Sequence, residues 1–249
     1  MSYIFVKLMG GLGNQLFQYA AGMLQKRLSS GTLILCKPEN IHDTFDYRLL
    51  FTEGVIYNGI TPMSFNTLYQ ENGYLFWDPN NYKDGIVLLY GYFQNYNVLK
   101  PILLEFKNHI LQNLESLRTY TILPKSGFIH VRRGDYLNNP ELHHVQSLDY
   151  YKKALSLMPH INHWYLFSDD LEWCKSQEIF NTLNITYVNE DPLHSLAYMS
   201  MIHEGAIIAN SSFSWWGAYL GIGNANVIYP KKWLGDISPD LFPEDWVGI

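Results

Sequence analysis

At 249 residues the chain has room for one large domain or two small ones, each with a substantial core. Hydrophobic residues make up 47% and charged residues only 16%, which describes a folded globular protein and excludes a disordered one. The formal net charge of −6 argues against a nucleic-acid binder, which needs a basic stripe to release counterions.

Tyr3 to Leu8 reads as a short apolar strand running into Gly10-Gly11-Leu12-Gly13. Leu16, Phe17, Ala20, Met23, Leu24 and Leu28 then recur at helical spacing for one buried face; Gly31 stops that helix and Thr32 to Cys36 forms the next strand. The chain therefore opens with a βαβ unit. From Lys37 to Asp84 it is rich in Asn, Tyr, Pro and Gly, and its weak periodicity supports no firm assignment. Ile86 to Tyr92 reads as a strand and Asn95 to Leu117 as mostly helix, with Pro101 tolerable only near the first turn.

Beyond Leu123-Pro124-Lys125-Ser126-Gly127 the rhythm is regular. Strands are expected at Phe128 to Val131, Trp164 to Phe167, Ile185 to Val188, Ala206 to Ala209 and Val227 to Tyr229. Helices are expected near Ser147 to Met158, Leu171 to Leu183, Pro192 to Glu204 and Phe213 to Gly221. Such alternation implies parallel βαβ units, and a boundary near residues 118 to 127 gives two α/β halves with a cleft between them.

No segment reaches the roughly 18 uninterrupted apolar residues of a membrane helix, and no secretory signal precedes the first strand. A soluble cytoplasmic protein is expected, with the sequons at Asn184 and Asn210 as chance matches. Cys36 and Cys174 lie far apart with no motif around them and read as free thiols.

Four constellations carry chemistry. The first is Gly10-Gly11-Leu12-Gly13-Asn14-Gln15, between a strand and a helix. Glycines there let backbone approach a ligand, and a helix amino end favours anions. A tight structural turn explains the same residues equally well, with Asn14 and Gln15 tilting the balance toward a polar ligand. Leu16 breaks the dinucleotide fingerprint, and the missing lysine excludes a P-loop.

The second constellation is His130-Val131-Arg132-Arg133-Gly134-Asp135-Tyr136, where a buried strand delivers a cationic loop at its carboxyl end. In open α/β sheets the ligand crevice lies at that end. Two guanidinium forks on an acidic chain suggest a pocket for a small phosphorylated ligand. The structural alternative is an arginine paired with Asp135; otherwise Asp135 and neighbouring backbone hold the loop in shape.

Phe167-Ser168-Asp169-Asp170 is the third, again at a strand end. Its carboxylates suit a metal, a helix cap by Ser168 or Asp169, or a base such as guanine, whose adjacent N1–H and N2 amino group one carboxylate accepts together. Asp170 is the choice for that last role. The fourth, Asn210-Ser211-Ser212-Phe213-Ser214-Trp215-Trp216-Gly217, converges hydroxyls and free amides at a helix amino end. Capping accounts for some of these serines, and Trp215 and Trp216 are expected to pack in the core or a domain interface.

In this order, and with Gly91-Tyr92-Phe93-Gln94, the four stretches resemble the alpha-1,2-fucosyltransferase family, glycosyltransferase family 11. The resemblance spans most of the chain. It implies a GT-B-like α/β fold of two Rossmann-like halves facing a cleft: residues 1–120 on the acceptor side and 121–249 binding the GDP-sugar. It further implies inverting transfer of L-fucose from GDP-fucose to a hydroxyl, typically of galactose, with no cofactor and no metal. Arg132 and Arg133 would then be the catalytic pair facing the pyrophosphate. His130 and Asp170 would contact guanine, Ser211 and Ser212 would lie near the phosphates, and Asn14, with Gly11 and Gly13, would lie near the pyrophosphate or fucose. Asp135, Glu141, His143, His144 and Asp149 all follow the arginine loop, and the sequence selects none as general base. Another GDP-sugar as donor, or a silent glycan- or nucleotide-binding protein, are the competing readings.

Overall fold

A computed structural model describes residues 1–36, 47–57, 61–62, 64–70, 77–141, 143–221, 226–233 and 240–249. The chain divides into two compact units, Met1–Leu114 with Pro239–Leu241 and Glu115–Ser238 with Phe242–Ile249. The expected GT-B-like class holds, in that each unit is a parallel sheet with helices packed on it.

Among the described residues, the sheet of the first unit has five strands: β1 (Tyr3–Lys7), β2 (Thr32–Cys36), β3 (Val55–Tyr57), β4 (Thr67–Gln70) and β5 (Ile86–Tyr90), in the order β3-β2-β1-β5-β4. All pairs are parallel. The chain leaves β1 for one side of the sheet and returns on the other side at β4 and β5, so the topology switches between β1 and β5.

Two long helices accompany this sheet, α1 (Leu12–Ser29) and α2 (Tyr96–Asn113). The expectation of a single buried face on α1 is corrected: nearly every residue from Leu12 to Gln25 is buried, while Leu28 is exposed. The helix stops at Ser30, whose φ of +49 is left-handed, one residue before the expected Gly31. Asn95 starts α2 by accepting from the Val98 amide. Pro101 lies in the second turn of α2 instead of the first. It is exposed, so the Asn97 carbonyl that loses its partner there faces the solvent side.

The second unit has six strands among the described residues: β6 (Ser126–Val131), β7 (His163–Ser168), β8 (Ile185–Val188), β9 (Ala206–Ile207), β10 (Val227–Tyr229) and β11 (Val247–Gly248). Their order is β11-β10-β9-β6-β7-β8, again all parallel. This is the doubly wound dinucleotide-fold order, with the switch point between β6 and β9. Every residue of β6 is buried, as a central parallel strand covered on both faces requires.

The helices here are α3 (Leu148–Ser156), α4 (Leu171–Ser176), α5 (Glu178–Asn181), α6 (Pro192–Met199) and α7 (Ser212–Leu220). The single helix expected over Leu171 to Leu183 is two, because Gln177 is extended at φ −90, ψ 125. Ile129, Val131, Tyr151, Leu166, Phe180 and Ile207 form the centre of one core cluster. Trp215 and Trp216 are fully buried, with Trp215 stacked on Tyr219 at 4.9 Å. Cys36 and Cys174 are free and buried, and burial pushes both thiols up to about 11.

Candidate functional site

At the carboxyl end of β6, which stops at Val131, Arg132 and Arg133 leave the sheet at its switch point. Five charged groups meet there. Arg132 places Nη2 at 2.7 Å from Asp135 Oδ1 and Nε at 3.3 Å from Asp169 Oδ2. Arg133 donates its backbone N–H to Asp169 Oδ1 at 2.9 Å and its Nε to Asp170 Oδ2 at 3.1 Å. The guanidinium of Arg133 also lies 3.8 Å from the centre of the Trp173 ring.

So both readings of the arginine loop have a place in it. The Arg132–Asp135 pair exists, but Asp135 is 64% exposed, and such a pair contributes little to stability. Arg133 spends its backbone N–H and Nε, and its two terminal nitrogens make no hydrogen bond among the described residues. An incoming oxyanion would find donors there without breaking an existing bond.

Gly134 is fixed by the same cluster. A Cβ at that position would sit 2.5 Å from Asp169 Oδ2, so any side chain would dislodge the carboxylate that clasps both arginines.

The two adjacent aspartates divide their work. Asp170, not Asp169, caps α4, accepting from the Trp173 amide at 3.1 Å. Ser168 Oγ accepts from the Asp170 amide at 2.9 Å, and Asp169 turns back to the arginine loop. A carboxylate offers about four acceptor positions, so Asp170 keeps lone pairs on both oxygens after serving Trp173 and Arg133.

His130 lies on the same strand, 4% exposed, and burial first and the Arg132 charge second push its imidazole down to about 3. It is therefore neutral at any working pH. Its Nδ1 is buried with no hydrogen-bond partner among the described residues.

Across the switch point, β9 leads to Asn210 and to Ser211, the residue preceding the first turn of α7. The Ser211 side chain makes no capping bond to the α7 amides. Ser214 instead donates to the Ala209 and Ser211 carbonyls. Tyr136 Oη donates to the Asn210 carbonyl at 2.8 Å, which joins this loop to the arginine loop. Burial pushes the Tyr136 phenol up to about 12, so it stays a donor. Asn210 is buried and both ends of its amide are bonded, which removes that sequon from the surface of the folded chain; Asn184 is exposed.

In the first unit, the turn after β1 is built from neutral groups. Gly10 has φ +72, and a Cβ there would lie 2.5 Å from Asn14 Nδ2, so glycine is required. Gly11 caps α1 with no side chain, and Gly13 is buried in its first turn. Gln18 accepts from Met9 N at 2.9 Å and donates to Met9 O at 3.1 Å, while Gln15 donates to Gly10 O at 2.9 Å. Gln94, from the turn after β5, donates to Asn14 Oδ1 at 2.8 Å. The preceding Phe93 is buried with φ +52, a conformation costing roughly 1–3 kcal/mol that buried surroundings must hold in place.

The structure thus gathers Arg132, Arg133, Asp135 and Asp170 into one cluster and links it through Tyr136 to the loop carrying Ser211 and Ser212. Sequence reasoning missed the roles of Gly134, Tyr136, Trp173 and Asn210, and offered Ser168 or Asp169, not Asp170, as the helix cap. The RRGD spacing was the one available signal for Gly134. Among the described residues, no group of three or more His, Cys, Asp or Glu is arranged to hold a metal ion, and no helix is long and apolar enough to cross a membrane.

A doubly wound parallel sheet with arginines and a helix amino end at its switch point is the architecture of a nucleotide-binding α/β protein. The family follows from comparison. The Glycosyl transferase family 11 model matches residues 78–249, more than half of the sequence, and the chain belongs to that family. It is 30% identical to an alpha-1,2-colitosyltransferase of Escherichia coli, over 100% of this chain and 99% of that protein. It is 27% identical to a galactoside 2-alpha-L-fucosyltransferase of Caenorhabditis elegans, over 47% of this chain and 38% of that one. A mutant of Arabidopsis thaliana FUT1, solved in complex with GDP, shares the fold at a TM-score of 0.52 and 10% identity, covering 92% of this chain and 70% of that structure.

Proposed function

We propose that this glycosyltransferase moves L-fucose from GDP-fucose to a hydroxyl of a galactose-containing acceptor, forming an alpha-1,2 linkage with inversion. The observation that carries the reading is the pair of clasped arginines at the β6/β9 switch point, with the terminal nitrogens of Arg133 unspent. Family membership and the named relatives support the sugar-transfer chemistry.

In such a transfer the bond from the sugar anomeric carbon to the β-phosphate oxygen breaks as the acceptor oxygen attacks the opposite face. Positive charge grows on the ring while negative charge collects on the departing diphosphate. Arg132 and Arg133 stabilise that charge more in the transition state than in the ground state. The amino end of α7, with Ser211 and Ser212, adds amide donors.

His130 would meet guanine as a neutral imidazole, and Asp170 would accept from N1–H and the N2 amino group with its remaining lone pairs. Gly11, Gly13 and Asn14 are assigned to the pyrophosphate or fucose. Asp135 holds the Arg132 fork and yields it when a phosphate arrives. The load on the leaving group is carried by these groups without a metal, and no side chain is assigned as general base.

A second reading keeps the chemistry and changes the sugar, since the full-length relative at 30% identity is a colitosyltransferase. The test is nucleoside-diphosphate release, in EDTA, as GDP from GDP-fucose and GDP-mannose and as UDP from UDP-galactose, with and without lactose. Acceptor-stimulated release from GDP-fucose alone is expected. Release only with a divalent cation would overturn metal independence, and release from GDP-mannose in place of GDP-fucose would overturn the donor.

A further inference from the structure

The arginine loop and the amino end of α7 lie on opposite sides of the switch point, and residues 74 positions apart tie them together. Asn210 is the hub. It is 3% exposed, its carbonyl accepts from Tyr136 Oη at 2.8 Å, its Oδ1 accepts from Gln146 Nε2 at 2.9 Å, and its Nδ2 donates to the Trp233 carbonyl at 3.0 Å.

Tyr136 is held just as firmly at its ring. His143 stacks on it at 4.4 Å with planes 17° apart, and the Arg132 guanidinium lies 5.5 Å from the ring centre. Asn210 is the immediate chain neighbour of Ser211. One side chain therefore has Arg132 beside its ring and bonds, through its hydroxyl, the backbone that leads into α7.

We propose that Tyr136 is a positioning residue that fixes the spacing between Arg132 and the amino end of α7, so that both grip one diphosphate. The proposal rests on the GDP-sugar reading above. A diphosphate presents two charged groups at a fixed separation, so two donor sets serve it together only at a matching distance. Misplacement by about 1 Å is enough to lose much of that benefit. A nucleoside without phosphates makes neither contact and is indifferent to the spacing.

The experiment uses Tyr136→Phe, which removes the hydroxyl and keeps the ring against His143 and Arg132. GDP and guanosine compete separately for a fluorescent GDP analogue bound to the full-length protein, and melting temperature is followed in parallel. GDP affinity is expected to fall roughly three- to tenfold, the scale of one neutral hydrogen bond, with guanosine affinity unchanged. Gln146→Ala, which loosens Asn210 from its other side, is expected to show the same selective loss. Unchanged GDP affinity in Tyr136→Phe, or equal losses for GDP and guanosine, would overturn the positioning role alone. A wild-type protein that binds no GDP would instead overturn the donor assignment, and this role with it.

Discussion

The turn beyond β1 in the first unit is held by neutral amides, whereas the turn beyond β6 in the second is held by charged pairs. The two sheets are otherwise alike, since each is all-parallel and each carries a tie between the two turns that flank its switch point. In the first the tie is Gln94 to Asn14, amide to amide. In the second it is Tyr136 to the Asn210 carbonyl, beside two arginines and three aspartates. Neutral amides can be buried completely once bonded, as Gln18 is at 0% exposure, and they give a fixed shape. Charged groups must keep part of their solvent, and Arg132 at 33% side-chain exposure does so. A loop of the second kind retains charge to offer a ligand.

The sharpest way to break this contrast is to remove one charge and one amide. Arg132→Ala is expected to lower turnover on the order of 10²–10³-fold, the scale of an oxyanion-donor deletion, with melting temperature retained. Asn14→Ala is expected to cost about tenfold or less, as for a neutral hydrogen bond. Steady-state kinetics on both variants decides it, and equal losses would erase the distinction between the two turns.

A second prediction concerns His130, whose folded pKa is about 3 against an ordinary value of 6.5. The unfolded chain takes up a proton there that the folded chain refuses, so the stability this group contributes is present above about pH 6.5 and is lost as pH falls toward 3. Urea midpoints at pH 7 and pH 5 should differ more in the wild type than in His130→Asn. Parallel slopes would mean that the imidazole is not held neutral.

The smallest effect belongs to the neutral turn. Gln18→Leu leaves the Met9 amide and carbonyl without their partner, which should cost about 1–3 kcal/mol of stability by chemical denaturation. If turnover fell as far as in Arg132→Ala while stability held, the first unit's turn would have a more direct part in chemistry than its neutral build suggests.

Much of the second unit was legible because its strands are short apolar runs ending in polar clusters, as in Ile185 to Val188 and Val227 to Tyr229. Periodicity could not reveal β3, whose Val55 and Tyr57 are exposed, or β4, which alternates at an edge of the sheet. The break at Gln177 was hidden for a different reason: the residues around it form helix readily, and only the packed structure sets Gln177 extended. At the site, sequence placed the arginines and aspartates at strand ends but could not divide Asp169 from Asp170. Adjacent residues on a turn point in different directions, and only coordinates say which one faces the arginines.

The bond between Tyr136 and Asn210 ends on a main-chain oxygen. Every amino acid carries that carbonyl, so the tie itself asks for no particular side chain. The Asn210 amide enters only by holding the carbonyl in place, through Gln146 and the Trp233 carbonyl. Paired substitutions, the usual fingerprint of spatial contact in related sequences, would leave no trace of this one. The tyrosine answers to the path of the backbone opposite it, and meets the Asn210 side chain only through the way that side chain sets the path.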